Sequence, residues 1–122
     1  MFGFKKKEII KSLDINEGYR RYLKHPEQIT IICLDEIKDY DDLHIADAQC
    51  FPFRLLDKFK ETYPDQNMKY YFYAVNKVFS EKACRKLMKQ GYDVYDLGSF
   101  MNYREKTEGL LSSRKNRRRK NK

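Results

Sequence analysis

The run Tyr70-Tyr71-Phe72-Tyr73-Ala74-Val75 is an almost unbroken aromatic and apolar stretch, and a helical pattern begins only a few residues after it. Such a run reads as a strand covered on both faces, because a half-exposed strand alternates apolar and polar residues. Asn76-Lys77-Val78-Phe79 is expected as a short loop. Ser80 is expected as the N-cap of a helix reaching Gln90 and stopped by Gly91. In α/β proteins the junction at the carboxyl end of a strand is where reactive groups and anions are placed. Here, from Ala74 to Phe79, only Lys77 ionises and no side chain serves as a nucleophile.

The other elements follow the same logic. Ile9 to Ile15 reads as a first strand or lead-in, and Asn16 to Leu23 as a short helix ended by His25-Pro26. Ile29-Thr30-Ile31-Ile32-Cys33-Leu34 is a β-branched strand, followed by an acidic connector from Asp35 to His44. Gln49-Cys50-Phe51 is a third short strand closed by Pro52, and Leu55 to Tyr63 an amphipathic helix. Asp93 to Leu97 is the last strand, with a short helix from Phe100 to Glu105. Strands alternating with helices predict a single α/β domain with a mostly parallel sheet of about five strands, flanked by helices on both sides. Residues 12–107 are expected to form that domain, with 1–11 a basic lead-in and 108–122 a basic, disordered tail.

The formal net charge of +8 comes from the ends. Ten lysines and arginines lie in 5–7 and 114–122; the other 16 face all 18 acidic residues within 8–113, leaving about −2 there. The charge therefore does not indicate a nucleic-acid-binding fold. The tail, with Arg114, Arg117, Arg118 and Arg119, is expected to bind polyanions weakly and in a salt-dependent way. Cys33, Cys50 and Cys84 form no CxxC pair and share no metal-ligand spacing with His25 or His44. Free thiols, no metal and no other cofactor are expected, in the cytoplasm. No apolar run is long enough to span a membrane, and Met1 to Lys7 lacks the apolar length of a signal peptide.

In this order the landmarks resemble the rhodanese superfamily. His44-Ile45-Ala46-Asp47-Ala48 is similar to that family's H-I-P-G-A segment, with Tyr40 four residues before the histidine and Phe51-Pro52 after it. The strand ending at Tyr73 resembles the one before the family's active-site loop, and Gly91 to Gly98 resembles its G-F-x-x-V-x-x-L-x-G-G segment. The resemblance covers about residues 12–105. It implies a loop of the form C-x-x-G-x-R whose thiolate, held by loop N–H groups and a helix N-terminus, carries a persulfide. Aligned on Ser80, the cysteine position is Ala74, the glycine position Lys77 and the arginine position Phe79. The family's D-x-R at the end of the second strand falls on Cys33-Leu34-Asp35.

Alanine cannot attack a substrate, so the loop Ala74, Val75, Asn76, Lys77, Val78 and Phe79 is expected to be catalytically inactive, with Val78 and Phe79 crowding the site. The chain is then a module that binds a protein or a small anion, with Lys77 and Ser80 as the anion-binding candidates. The alternative is a divergent sulfurtransferase or thiol-redox enzyme using Cys33, and a third reading is an RNA- or ribosome-associated protein acting through the tail. Cys84 reads as a buried apolar thiol and Cys50 has no assigned role. His44 is expected to organise its turn by hydrogen bonding.

Overall fold

The computed structural model describes residues 9–112. The basic residues at 5–7 and 114–122 lie outside the described residues. In chain order the elements are α1 (Ile15–Lys24), β1 (Ile29–Cys33), α2 (Ile37–Asp42), β2 (His44–Ile45) and β3 (Gln49–Cys50). A 3₁₀ helix (Phe53–Lys58) then runs into α3 (Phe59–Thr62), followed by β4 (Lys69–Ala74), α4 (Lys77–Lys89) and β5 (Asp93–Ser99). A 3₁₀ turn (Phe100–Asn102) and β6 (Thr107–Glu108) complete the order.

The main sheet has the order β3-β1-β4-β5, all parallel. It therefore has four strands rather than about five. Among the described residues before Ile15, the contribution to the sheet is a bridge between Ser12 and Asp96. Asp14 explains why: its carboxylate accepts the N–H groups of Asn16 and Glu17 and starts α1 there. A second, antiparallel pair joins β2 to β6. That pairing, with Ser112 buried beyond it, carries ordered structure past the boundary expected at residue 107.

The aromatic strand is central and covered on both faces, as its composition predicts. Tyr70, Phe72 and Ala74 face a core with Leu56, Phe59, Ala83 and Leu87 from the helices on that side. Tyr71 and Tyr73 face the opposite core with Ile15, Tyr19, Ile31, Cys33 and Ile45. Phe59 is the hub of the first core, with ring centroids 5.0–5.5 Å from Phe51, Tyr63, Tyr70, Phe72 and Tyr92. Such edge-on and offset contacts contribute about 0.5–1.5 kcal/mol each beyond area burial.

Both ends of α4 have identifiable causes. Gly91, at φ +96°, donates to the Met88 carbonyl, and Tyr92 N–H donates to the Leu87 carbonyl. These two bonds close a Schellman turn at the predicted stop. The start lies a turn earlier than expected: Asn76, not Ser80, is the N-cap, its side chain accepting the Val78 N–H at 2.9 Å. The connector between β4 and α4 is thus only Val75 and Asn76.

Candidate functional site

The carboxyl ends of β1 and β4 bring Cys33, Asp35 and Ala74-Val75 together. Cys33 pairs with Tyr73 across the two strands, and Leu34 N–H donates to the Tyr73 carbonyl at 2.9 Å. This register sets Asp35 beside the connector, where its carboxylate oxygens accept the Val75 N–H at 3.1 and 3.2 Å. The Cys33 thiol points at the same carboxylate, with Sγ 3.7 Å from Oδ2. Burial pushes the Asp35 carboxyl above its ordinary range, and the Val75 N–H and Cys33 thiol partly offset that.

Ala74 is 0% exposed and belongs to the core on the α4 side. The Ala74 side chain is therefore a packing methyl group. Lys77 is exposed in the first turn of α4. Phe79 is partly exposed and lies against the 3₁₀ helix. It turns sideways and stacks on Phe53, with centroids 4.7 Å apart and planes 13° apart. The cause is the early helix start, which places Phe79 on the side of α4 that faces the 3₁₀ helix.

Ser80, placed among the anion-binding candidates, is buried inside the helix. Its hydroxyl lies 2.6 Å from Asp96 Oδ1 and 3.0 Å from the Lys77 carbonyl. With one proton to donate, it favours the carboxylate, since charge-assisted bonds are the stronger. Asp96 Oδ1 also accepts the Gly98 N–H at 2.8 Å, across the bulge that shifts β5 against β4 between Phe72 and Tyr73. Ser80 thus faces the sheet, away from solvent.

The three thiols differ in setting. Cys33 is 1% exposed, and burial pushes its thiol up to about 12. Burial also raises Cys84. Cys50 is half-buried and is raised by burial and by Asp41, Glu36 and Asp35. Cys33 and Cys50 are direct partners in the parallel β1–β3 register, and Cys50 Sγ lies 3.6 Å from the Asp35 carbonyl. Sequence reasoning missed that pairing. Strand alternation within each run was the available signal, but adjacency of β1 and β3 is a tertiary fact.

His44 is hydrogen-bonded within its own segment. Its ring stacks on Tyr40 at 3.7 Å, and Nδ1 lies 2.6 Å from the Tyr40 carbonyl, so Nδ1–H donates. Nε2 lies 3.5 Å from Glu108 Oε1, and Tyr40 donates from its hydroxyl to the Ala48 carbonyl. The next residue, Ile45, donates its N–H to the Tyr73 hydroxyl, which ties this turn to the strand that ends at Ala74. Asp47, at the position resembling the glycine of H-I-P-G-A, has φ +69°. Among the described residues no group of three His, Cys, Asp or Glu side chains could hold a metal ion, and no helix is long and apolar enough to cross a membrane.

No protein-family model matches the chain, and no curated protein sequence does. Solved structures do. The chain is similar to a rhodanese-like domain from Anabaena, at TM-score 0.72 and 21% identity, over 84% of that chain and 87% of this one. A rhodanese-like domain protein from Staphylococcus aureus aligns at TM-score 0.71 and 20% identity, over 98% of that chain and 82% of this one. A rhodanese with anions from E. coli aligns at TM-score 0.60 and 19% identity, over 98% of that chain and 66% of this one. With the parallel order β3-β1-β4-β5 and helices on both faces, these likenesses show that the chain has the rhodanese-like fold.

Proposed function

We propose that this chain is a non-catalytic rhodanese-like module that acts by binding a protein partner. One observation carries the reading: the Asp35 carboxylate sits on the Val75 N–H, beside a fully buried Ala74. A sulfur-carrying loop needs an attacking thiolate and free N–H donors to hold its charge. At this position the first is a methyl group and the donor at Val75 already has a carboxylate. An external anion would meet the Asp35 charge, and Ser80 faces the core, which leaves Lys77 alone of the two anion-binding candidates. The free thiols fit a reducing compartment such as the cytoplasm.

A second reading is favoured by the Cys33–Cys50 pairing, which would suit thiol-redox or sulfur-transfer chemistry. Against it, burial holds Cys33 in the thiol form, the reverse of an activated nucleophile. Polyanion binding through Arg114, Arg117, Arg118 and Arg119 is a separate expectation, checked by deleting residues 114–122 and measuring RNA binding. The test of the main reading is steady-state turnover with thiosulfate or 3-mercaptopyruvate as sulfur donor. The non-catalytic reading expects rates equal to the protein-free blank. Turnover that disappears in the Cys33→Ser variant would replace it with the second reading.

A further inference from the structure

On α4 the residues Ser80, Ala83, Cys84 and Leu87 are buried against the sheet. Val78, Lys82, Arg85 and Lys89 recur at spacings of four, three and four, which puts them in one stripe on the opposite, exposed side. Glu81 is the single acid of this helix against five basic residues, Lys77, Lys82, Arg85, Lys86 and Lys89. At the amino end of the stripe the connector and first turn expose Val75 at 47%, Val78 at 44% and Phe79 at 37%.

Beside the stripe a shallow groove of about 300 Å³ separates α4 from the 3₁₀ helix. Phe53 and Leu56 give it apolar walls, and Arg54, Asp57, Lys82 and Lys86 give it charged ones. Lys86 pairs with Asp57 and Arg54 with Glu36, which leaves Lys82 as the unpaired cation among the described groove-lining residues. The Phe53–Phe79 stack joins the groove to the exposed valines, so apolar and basic surface form one continuous face.

We infer that this face docks an acidic segment of a partner protein that inserts one aliphatic or aromatic side chain between α4 and the 3₁₀ helix. The inference rests on the protein-binding reading above and adds the chemistry of the partner. Charge complementarity selects the occupant. The chain's own residues 114–122 are basic and would be repelled. A second copy docking through the same face would set one Lys82–Arg85–Lys89 stripe against another. An acidic segment neutralises the stripe, and its apolar side chain covers Phe53, Leu56 and Val78, as hot-spot anchors do.

The test is selection of a random twelve-residue peptide library on the immobilised full chain, followed by titration of the enriched peptides as fluorescein conjugates. Lys82→Glu/Arg85→Glu is the matched variant; both positions are exposed, so its circular dichroism should equal that of the parent. Enriched peptides should combine Asp or Glu with Leu, Ile or Phe, and should lose at least about tenfold in affinity on the variant, as two charges are reversed. No enrichment, enrichment of basic peptides, or acidic peptides that bind the variant equally would each overturn the inference. Poly(U) binding that is lost on the variant while residues 114–122 are intact would reassign the face to nucleic acid. Sulfurtransferase turnover measured on the same preparations separates the fates of the two readings: turnover with intact peptide binding defeats only the non-catalytic reading, and blank rates without peptide binding defeat only the docking face.

Discussion

Both oxygens of the Asp35 carboxylate lie within hydrogen-bond distance of the Val75 N–H, so the end of β1 closes the connector that follows β4. The cost of that closure is a partly buried negative charge. Its folded pKa is raised by burial, so the folded chain holds the Asp35 proton more tightly than the unfolded chain does. The associated stability is therefore fully present below the ordinary aspartate range and is lost as pH rises through the raised folded value. Asp35→Asn keeps an acceptor for Val75 and removes the charge. Urea denaturation should find it at least as stable as the parent at neutral pH, with its relative advantage shrinking as pH falls. A variant that is less stable at every pH would mean the charge itself is needed.

Thiol chemistry should follow exposure. Cys50 is the half-exposed thiol, whereas Cys33 and Cys84 are buried and raised by burial. Peptide mapping after limited maleimide treatment near neutral pH should place the first label on Cys50. Cys33 and Cys84 should react mainly after unfolding. Preferential labelling of Cys33 in the folded chain would favour the thiol-enzyme reading.

The Ser80–Asp96–Gly98 node fixes the start of α4 to the bulge in β5. Ser80→Ala removes a buried donor from the carboxylate and should cost about 1.5–3 kcal/mol, the range for hydrogen bonds to charged groups. A lower urea midpoint with an unchanged slope is the expected result. An unchanged midpoint would mean that another group satisfies Asp96.

At Asp47 the backbone occupies the left-handed region while the side chain accepts from the Tyr22 hydroxyl at 3.2 Å. Asp47→Gly and Asp47→Ala both lose that bond, so their difference isolates the backbone. The glycine variant should be the more stable by about 1 kcal/mol, because a Cβ is disfavoured at positive φ. Equal thermal midpoints for the two variants would contradict this.

How much of this was legible in the sequence depends on how local the cause is. The β-branched run at Ile29 to Cys33 and the aromatic run at Tyr70 to Ala74 declared buried strands, and Gly91 declared the end of α4. Within Asp35 to His44 the charge density suggested an open connector, yet α2 forms there, held at its end by the Leu43 N–H on the Asp39 carbonyl. The start of α4 differs from the expectation because Ser80 and Asn76 both suit an N-cap, and here Asn76 takes that place directly after β4 and Val75. The spacing of Tyr40 and His44 is a landmark of the resemblance, whereas their stacking is visible only in the fold. By contrast, the meeting of Asp35 with Val75 and of Cys33 with Cys50 depends on strand order, which no local pattern encodes.

On the proposed non-catalytic reading, the junction after β4 carries no sulfur. This is tested by the intact mass of the folded chain after incubation with thiosulfate, removal of the donor and non-reducing analysis. An unchanged mass is predicted, with all three thiols free. A stable gain of one sulfur atom, mapped to Cys33 or Cys50 and discharged by cyanide, would contradict it.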